Sequence, residues 1–359
     1  MDLAAAEAAG IRDAAARAGL LEYLESKGFS LAEMAEAERT GRLFALAGDA
    51  VIQSGPAVHS LRSAARVLGL PEAEVAHAWA VLGLTVADND QPALTAADLD
   101  GLRTWSGMRD SLGPEMALGL LRVIGTSMAR IAEAESSAVR SSTVDIVLHG
   151  PEDELRTAIA FGELAPVVPR IGAFMDAVHR QHIASTRTYF EAVIQGDDAT
   201  SVTCGVGFAD LSGFTGLTQR LSLPELSGLL TAFGSTASDV VHEHGGRLVK
   251  LLGDAVMWVN ADPARLAEVA AHLVAHPYAR RAGIEVRAGI AFGPVLAMDG
   301  DYFGPPVNLA ARLVGVAGPG QLLAPGELCE LLPDWCARAL EPVTLRGFTE
   351  PVTPYELSH

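Results

Sequence analysis

The sequence predicts an α+β chain in which an all-helical N-terminal half precedes a half that mixes helices with antiparallel strands. Residues 1–195 are rich in Ala, Leu and Glu, and their apolar residues recur at helical spacing. From residue 201 onward, short β-rich runs bounded by turn residues alternate with helical runs. A length of 359 residues also favours two domains. We place them at residues 1–195 and 196–359.

Cap and proline signals divide the first half into helices. Residues 30–46 begin with Ser30 and carry Glu33 three positions later, the pattern of a capping box. Residues 171–194 predict one long helix, a linker of about residues 171–195, which Gly196 ends. The other predicted helices are residues 60–70, 71–84, 95–105 and 114–140, with two more beginning at Pro151 and Pro166.

The second half begins with a strand, and a tight Gly253-Asp254 turn later joins two strands as a hairpin. The β-α-β-β-α-β order of its first six elements predicts a ferredoxin-like sandwich with extra strands. The predicted strands are residues 202–208, 247–252, 255–259, 285–292, 295–298, 321–324, 343–346 and 354–357. The predicted helices are residues 223–244, 263–282 and 305–316.

Composition argues against several classes of protein. The net charge is −18, and both halves are acidic: residues 1–200 carry 28 acids and 16 bases, and residues 201–359 carry 16 acids and 10 bases. Nucleic acid is therefore not an expected partner. The sequence contains no run of 18 uncharged apolar residues and no basic, apolar leader, so we expect no membrane span. Three sparse cysteines favour a reducing, cytoplasmic location.

Two aspartates suggest a cation site. Asp210 follows the first strand and precedes a turn of small residues, and such turns present N–H groups to phosphate. Asp254 lies at the tip of the predicted hairpin. If the hairpin pairs beside the first strand, the two carboxylates converge and need a cation between them. The alternatives are a cap residue at Asp210 and an ordinary hairpin turn at Asp254.

Two further segments carry polar side chains that could bind a ligand. Asn308 and Arg312 are four residues apart and share one helix face, where they could clamp a phosphate or form an ordinary solvated face. Lysine is rare in this chain, since Lys27 and Lys250 are the only two among 26 basic residues. The position of Lys250, four residues before Asp254, is therefore informative.

Together, the motifs around Asp210, Asp254 and Asn308 resemble, in order, the catalytic domain of class III adenylyl and guanylyl cyclases. The resemblance covers about residues 201–357. It implies that Asp210 and Asp254 bind two Mg²⁺ or Mn²⁺ ions with help from the Leu211 carbonyl. It implies that Asn308 orients the ribose and that Arg312 stabilises the α-phosphoryl transition state. The residues implied to hold the triphosphate are Ser212, Gly213, Phe214 and Thr215, with Arg346 as an additional cation.

The same resemblance implies the purine and the reaction. Lys250 and Asp301 occupy the positions where adenylyl cyclases donate to adenine N1 and accept from the 6-amino group. An ionised Asp301 only accepts hydrogen bonds, which suits an amino group. We therefore expect ATP to be cyclised to cyclic AMP with release of pyrophosphate. The alternatives are a guanylyl cyclase and a non-catalytic nucleotide sensor on the same fold.

Assembly and control also follow from the resemblance. In this family the metal aspartates and the Asn/Arg pair meet across a dimer interface, so we expect a homodimer with two active sites. The first half resembles, in architecture only, the helical regulatory module of actinobacterial two-domain cyclases. Its signal could be pH, read by His179 and His182 of the linker helix, or an apolar ligand such as a fatty acid. The alternative is a packed dimerisation domain without a sensor.

Overall fold

A computed structural model describes residues 2–142, 151–164, 166–193, 201–276 and 284–358. The chain forms two compact units, Met1–Gln181 and His182–His359, and the division falls within a long helix. The end of the predicted linker helix at residues 194 and 195, and the predicted domain boundary, lie outside the described residues. Within those residues, no helix combines the length and apolar content that crossing a bilayer requires.

The first unit consists of helices, as the sequence predicts. Its described α-helices are α1 (Leu3–Ala8), α2 (Ala18–Ser26), α3 (Leu31–Arg39), α4 (Leu46–Ile52), α5 (Leu61–Leu68), α6 (Glu72–Val81), α7 (Ala96–Leu112), α8 (Pro114–Ser142), α9 (Pro151–Leu164) and α10 (Val167–Val193). The buried apolar residues form two clusters. One joins α1 to α4 with α9, and the other joins α5 to α8.

The capping box predicted at the start of α3 is present. The Ser30 hydroxyl accepts from the Glu33 N–H at 3.3 Å, and the Glu33 carboxylate accepts from the Ser30 N–H at 2.8 Å. The predicted helix of residues 30–46 is wrong in its extent. It breaks after Arg39 because Gly41 has a φ of 71°, a left-handed conformation that ends a helix. A short 3₁₀ turn, Leu43–Ala45, then leads into α4.

The second unit is built on a mixed sheet. Its described strands are β1 (Ser201–Leu211), β2 (Arg247–Leu252), β3 (Ala255–Asn260), β4 (Val286–Met298), β5 (Asp301–Phe303), β6 (Leu322–Pro325), β7 (Cys336–Ala339) and β8 (Pro354–Ser358). Its described helices are α11 (Phe214–Thr218), α12 (Leu223–Glu243), α13 (Pro263–Ala275), α14 (Pro305–Val316) and α15 (Gly326–Cys329). The strand order is β2-β3-β1-β4-β6-β8-β7, with β5 paired to β4. The first four strands have the order of a ferredoxin-like sheet, as predicted.

Helices cover both faces of this sheet. Alternate residues of β1 and β3 pack into different apolar clusters, because neighbouring strand residues point to opposite faces. The larger cluster contains α12 and α13, and the other contains α14. Phe208 and Met257 belong to the α14 face, and Asp210 and Lys250 share that face by strand alternation and cross-strand register.

Several predicted element boundaries were wrong. Residues 285–292 and 295–298 form the single strand β4, because Gly293 and Pro294 remain paired with β1. The predicted strand at residues 343–346 is only an isolated bridge between Val343 and Val352. The short strands β5 and β7 were not predicted. The predicted helix of residues 263–282 is too long, because α13 ends at Ala275 and His276 is extended; residues 277–283 lie outside the described part.

Candidate active site

The structure brings the two predicted metal ligands together. Asp210 is near the end of β1, where it lies opposite Ala255 of β3. The adjacent Leu211 N–H donates to the Asp254 carbonyl at 3.2 Å. Burial raises the pKa of the Asp254 carboxyl, and the neighbouring Asp210 carboxylate raises that pKa further. The β2–β3 hairpin therefore places Asp254 within electrostatic reach of Asp210.

This pair fits a hard divalent cation. Two partly buried carboxylates offer oxygen ligands, and their repulsion is relieved when a cation lies between them. Among the residues that the structure describes, no cluster of three or more His, Cys, Asp and Glu side chains suits a metal ion. The protein ligands at this site would therefore be the two carboxylates and main-chain oxygen. Water or substrate oxygen would complete the coordination.

Arg287 is a member of the site that sequence reasoning missed. It lies directly opposite Asp210 on β4. Its Nη2 and Nε donate to Asp210 Oδ2 at 2.7 and 3.2 Å, and its Nη1 donates to the Ala317 carbonyl at 3.3 Å. The two residues are 77 positions apart, so no local pattern could pair them. The available signal was a charged residue within an otherwise apolar strand.

The predicted phosphate turn follows β1. Gly213 has a φ of 76°, a left-handed conformation that favours glycine, and it turns the chain into α11. The Ser212 N–H already donates to the Glu285 carbonyl at 2.7 Å, whereas the buried Ser212 hydroxyl has no partner within the described residues. Phe214 packs against the core and Thr215 is exposed. The turn is thus anchored at Ser212 and Phe214.

Lys250 and Asp301, predicted to read the purine, form an ion pair between Nζ and Oδ2. Their side chains are 32% and 28% exposed, so both remain accessible to a ligand. Asp301 reaches Lys250 because β5 pairs with the end of β4, where Met298 lies opposite Asp301. The second carboxylate oxygen of Asp301 accepts from the Tyr302 N–H at 2.9 Å.

The third predicted group lies on and beside α14. Asn308 and Arg312 are exposed, and Arg312 Nε donates to the Arg346 carbonyl at 3.1 Å. The structure therefore brings Arg346 beside Arg312. Gly289 fixes the position of α14 on the sheet, because a Cβ there would lie 2.4 Å from the Val314 nitrogen. Within the described part of the chain, the contact of Arg312 is with Arg346 and not with the carboxylate pair.

Comparison with known proteins identifies the family. Residues 198–358 match the model of the adenylate and guanylate cyclase catalytic domain. An adenylate cyclase of Streptomyces coelicolor is 37% identical over 280 residues, which are 75% of this chain and 70% of that protein. This chain belongs to the class III nucleotidyl cyclases. The predicted fold, a helical region followed by a class III cyclase domain, is confirmed.

Other relatives extend the match into the helical unit of this cyclase. An uncharacterized protein of Mycobacterium tuberculosis is 56% identical over 99% of this chain and 94% of its own length. A pH-sensitive adenylate cyclase of Mycobacterium tuberculosis is 33% identical over 62% of this chain and 56% of that protein.

Among solved structures, the adenylyl cyclase CyaB of P. aeruginosa is 26% identical, covering 44% of this chain and 95% of that chain, with a TM-score of 0.41. Class III cyclase domains bind a nucleotide, generally need metal ions and typically work as dimers.

Proposed function

We propose that this cyclase converts ATP to 3′,5′-cyclic AMP and pyrophosphate. The observation that carries the proposal is the Lys250–Asp301 pair, which sets an ammonium donor beside a carboxylate acceptor. Adenine presents an acceptor at N1 beside a donor at its 6-amino group, so the pair complements that edge. In the absence of nucleotide, the two side chains satisfy each other. The relatives named adenylate cyclase support the same substrate.

The residues on the α14 face supply the parts of an in-line phosphoryl transfer. Asp210, Asp254 and the Leu211 carbonyl would hold two Mg²⁺ or Mn²⁺ ions. When bound, such ions acidify the ribose 3′-hydroxyl and neutralise charge on the phosphates. The 3′-oxygen bonds to the α-phosphorus, the bond from that phosphorus to the bridging oxygen breaks, and pyrophosphate leaves. The hydroxyl proton passes to solvent.

Positioning of the substrate falls to the remaining groups. Residues 212–215 and Arg346 hold the β- and γ-phosphates, and Asn308 orients the ribose. Arg312 stabilises the charge that develops on the α-phosphoryl group. Most of the catalytic effect then comes from orientation and electrostatics, because the protein forms no covalent bond with the substrate.

The active form is a homodimer with two equivalent sites. The hydrogen bond that Arg312 makes is to Arg346, not to the carboxylate pair, and in the proposed dimer the Arg312 of a second copy meets that pair. Apolar side chains on β2 and on the β4–β5 hairpin support such an interface, since they are 39–49% exposed: Leu251, Leu252, Leu296, Met298 and Phe303. Exposed apolar patches mark protein-binding surfaces.

Residues 1–195, with a linker helix of about residues 171–195, form a regulatory and dimerisation domain, and residues 196–359 form the catalytic domain. The signal is pH. The pH-sensitive relative supports this assignment, as do the exposed positions of His179 and His182 on α10. An apolar ligand is less well supported. A surface cavity of about 560 Å³ beside α3 and α4 is lined by three carboxylates and one arginine, and this net negative charge disfavours a fatty-acid carboxylate: Glu33, Glu36, Asp49 and Arg42.

The decisive experiment measures cyclic nucleotide formation from ATP and from GTP with Mn²⁺. Cyclic AMP as the main product supports the proposal, cyclic GMP as the main product identifies a guanylyl cyclase, and no product identifies a nucleotide sensor. Substituting Lys250→Glu together with Asp301→Cys should lower kcat/KM for ATP at least about 100-fold by leaving the adenine edge unpaired. Lys27→Glu, which changes the other lysine of the chain, is the matched control. Unchanged ATP kinetics in the double variant would refute this mode of base recognition.

A mixing experiment tests the dimer. Asp210→Ala and Arg312→Ala should each abolish activity, and their heterodimer should contain one intact site. Activity should therefore return on mixing, to about half per heterodimer. If subunits exchange and activity does not return, each site is built within one chain.

A further inference from the structure

Arg287 is a third charged group at the carboxylate pair, and the proposed reaction leaves it without a role. It contacts both the side chain of Asp210 and the main chain at the end of α14. Asp210 is 19% exposed and Arg287 28% exposed, so this ion pair is more sheltered than a surface salt bridge.

The geometry holds Arg287 firmly on Asp210. The two residues are directly opposite each other in the long antiparallel pairing of β1 with β4. Cross-strand neighbours of this kind keep their Cβ atoms within about 5.5 Å. The Ala317 carbonyl provides a second acceptor, which orients the planar guanidinium. Arg287 therefore needs no rearrangement to remain paired in the absence of a metal ion.

Arg287 also occupies an atom that a cation would use. Its Nε and Nη2 both donate to the same oxygen, Asp210 Oδ2. The guanidinium lowers the pKa of the neighbouring Asp254 carboxyl, opposing the effects of burial and of Asp210. Without a metal ion, Arg287 is thus the positive charge that makes two adjacent carboxylates tolerable.

We propose that Arg287 is the counter-ion of the Asp210–Asp254 pair in the metal-free cyclase and competes with the divalent cation for Asp210. The inference rests on the metal site of the proposed function. A cation can use Asp210 Oδ2 only in the fraction of molecules in which Arg287 has moved away, and its apparent affinity falls by that fraction. Arg287 is a positioning residue in this role, because it acts through Asp210.

The test measures Mn²⁺ binding to the full-length protein without nucleotide, using electron paramagnetic resonance of free Mn²⁺. Arg287→Gln should bind Mn²⁺ at least about fivefold more tightly, because the competing charge is gone. Arg287→Lys should show a smaller gain, since one ammonium cannot span both Asp210 and Ala317. Arg338→Gln, which breaks the Arg338–Glu356 pair on β7 and β8, is the matched control and should leave Mn²⁺ affinity unchanged.

A second readout does not involve affinity. Without metal, Arg287→Gln should melt at a lower temperature than the wild type, because the carboxylates lose their counter-ion. Saturating Mn²⁺ should then raise its melting temperature more than that of the wild type. Equal metal-induced rises in the two proteins would contradict the competition.

The outcomes separate this inference from the proposed function. If Asp254→Asn abolishes Mn²⁺ binding but Arg287→Gln binds no more tightly than wild type, the inference is wrong and the metal site stands. If Asp254→Asn leaves binding unchanged, both the metal site and the inference are wrong. If circular dichroism shows that Arg287→Gln is unfolded, Arg287→Lys decides. Tighter binding supports the competition, and unchanged or weaker binding overturns it.

Discussion

The helical unit and the catalytic unit both bury charge, but they compensate it differently. In the helical unit, Glu38 is only 6% exposed and contacts Arg12 at 3.0 Å and Arg17 at 2.9 Å. Burial alone would raise the pKa of Glu38, but hydrogen bonds from the two arginines outweigh it and the pKa is lowered. In the catalytic unit, the carboxylates of Asp210 and Asp254 have Arg287 as their neighbouring cation, and burial nevertheless raises the pKa of Asp254.

This difference distinguishes charges that are fully paired within the fold from charges that a bound cation can still neutralise. Arg17 also pairs with Glu154 of α9 at 2.6 Å, so the Glu38 network joins segments far apart in the helical unit. Removing one member of such a network leaves a buried charge without its partner, which is costly, and the complete network leaves nothing for a ligand to compensate. An under-compensated carboxylate pair instead gains stability when a cation binds. Removing Glu38 should therefore lower the stability of the helical unit, whereas removing Asp254 should not lower the stability of the metal-free catalytic unit.

The largest effect is expected at the carboxylate pair. Asp254→Ala should lower cyclase activity at least about 1,000-fold, or about 4 kcal/mol of barrier, and should leave the metal-free stability unchanged or raised, since a repelling charge is removed. Asp210→Ala should be equally inactive but less stable, because Arg287 loses its partner. Cyclic AMP assays and urea denaturation measure the two quantities. More than about a tenth of wild-type activity in either variant would contradict the assignment.

The next largest effect is expected at Glu38. Glu38→Ala should destabilise the helical unit by about 3 kcal/mol, because Arg17 is left buried without this partner. Urea denaturation followed by circular dichroism measures the loss. Glu36→Ala breaks an exposed pair with Arg39 on the same helix and serves as the control, with no measurable change expected. A wild-type stability for Glu38→Ala would show that the network is not needed.

The pH dependence of that network has a definite sign. Because the pKa of Glu38 is lowered on folding, its stabilisation is present above the ordinary carboxyl pKa of about 4.3. It is lost as pH falls through the lower pKa of the folded state. Glu38 should therefore make the wild type sensitive to acid below about pH 4.3 and contribute nothing to regulation near neutrality. Acid unfolding of Glu38→Ala should be correspondingly less steep.

A smaller effect is expected from substituting two glycines that lie against the main chain of another segment. A Cβ on Gly289 would meet the backbone of α14, and a Cβ on Gly125 would lie 2.7 Å from the Leu82 main chain in the helical unit. Each alanine substitution should cost about 1–3 kcal/mol of stability through overpacking. Only Gly289→Ala should also lower activity, because it displaces the helix that carries Asn308 and Arg312. Equal loss of activity in the two variants would show that packing at Gly125 matters for catalysis as much as packing at Gly289.

The smallest effect is expected at the linker helix. His179→Gln with His182→Gln should flatten the activity profile between about pH 5.5 and 8, because the double variant lacks both histidines of the linker helix. We propose that the helical domain restrains the catalytic domain and that acidification relieves this restraint, so the double variant should lose activation at low pH. His77→Gln, an exposed histidine of α6, is the control. An unchanged pH profile would remove these two histidines from the regulatory proposal.

Much of the architecture was predictable because it depends on local patterns. The β-α-β-β-α-β order, the capping box at Ser30 and the hairpin at Gly253 follow from spacing within a few residues. The neighbourhood of Asp210 and Asp254 was also anticipated, on the condition that the hairpin pair beside β1, and β3 does so. Element limits were less predictable. Gly293 and Pro294 look like a break in sequence, but pairing with β1 carries β4 through them.

The sequence by itself determined the family, the two-part organisation and the residue types that carry the chemistry, because motifs and periodicity are local. Only the tertiary structure decided that Arg287 lies opposite Asp210, that Asp301 reaches Lys250 and that Arg312 contacts Arg346. Each of these pairs joins residues on different strands or segments, 34 to 77 positions apart. Their meeting depends on sheet register and on the seating of α14 at Gly289, which the packing of the whole unit determines.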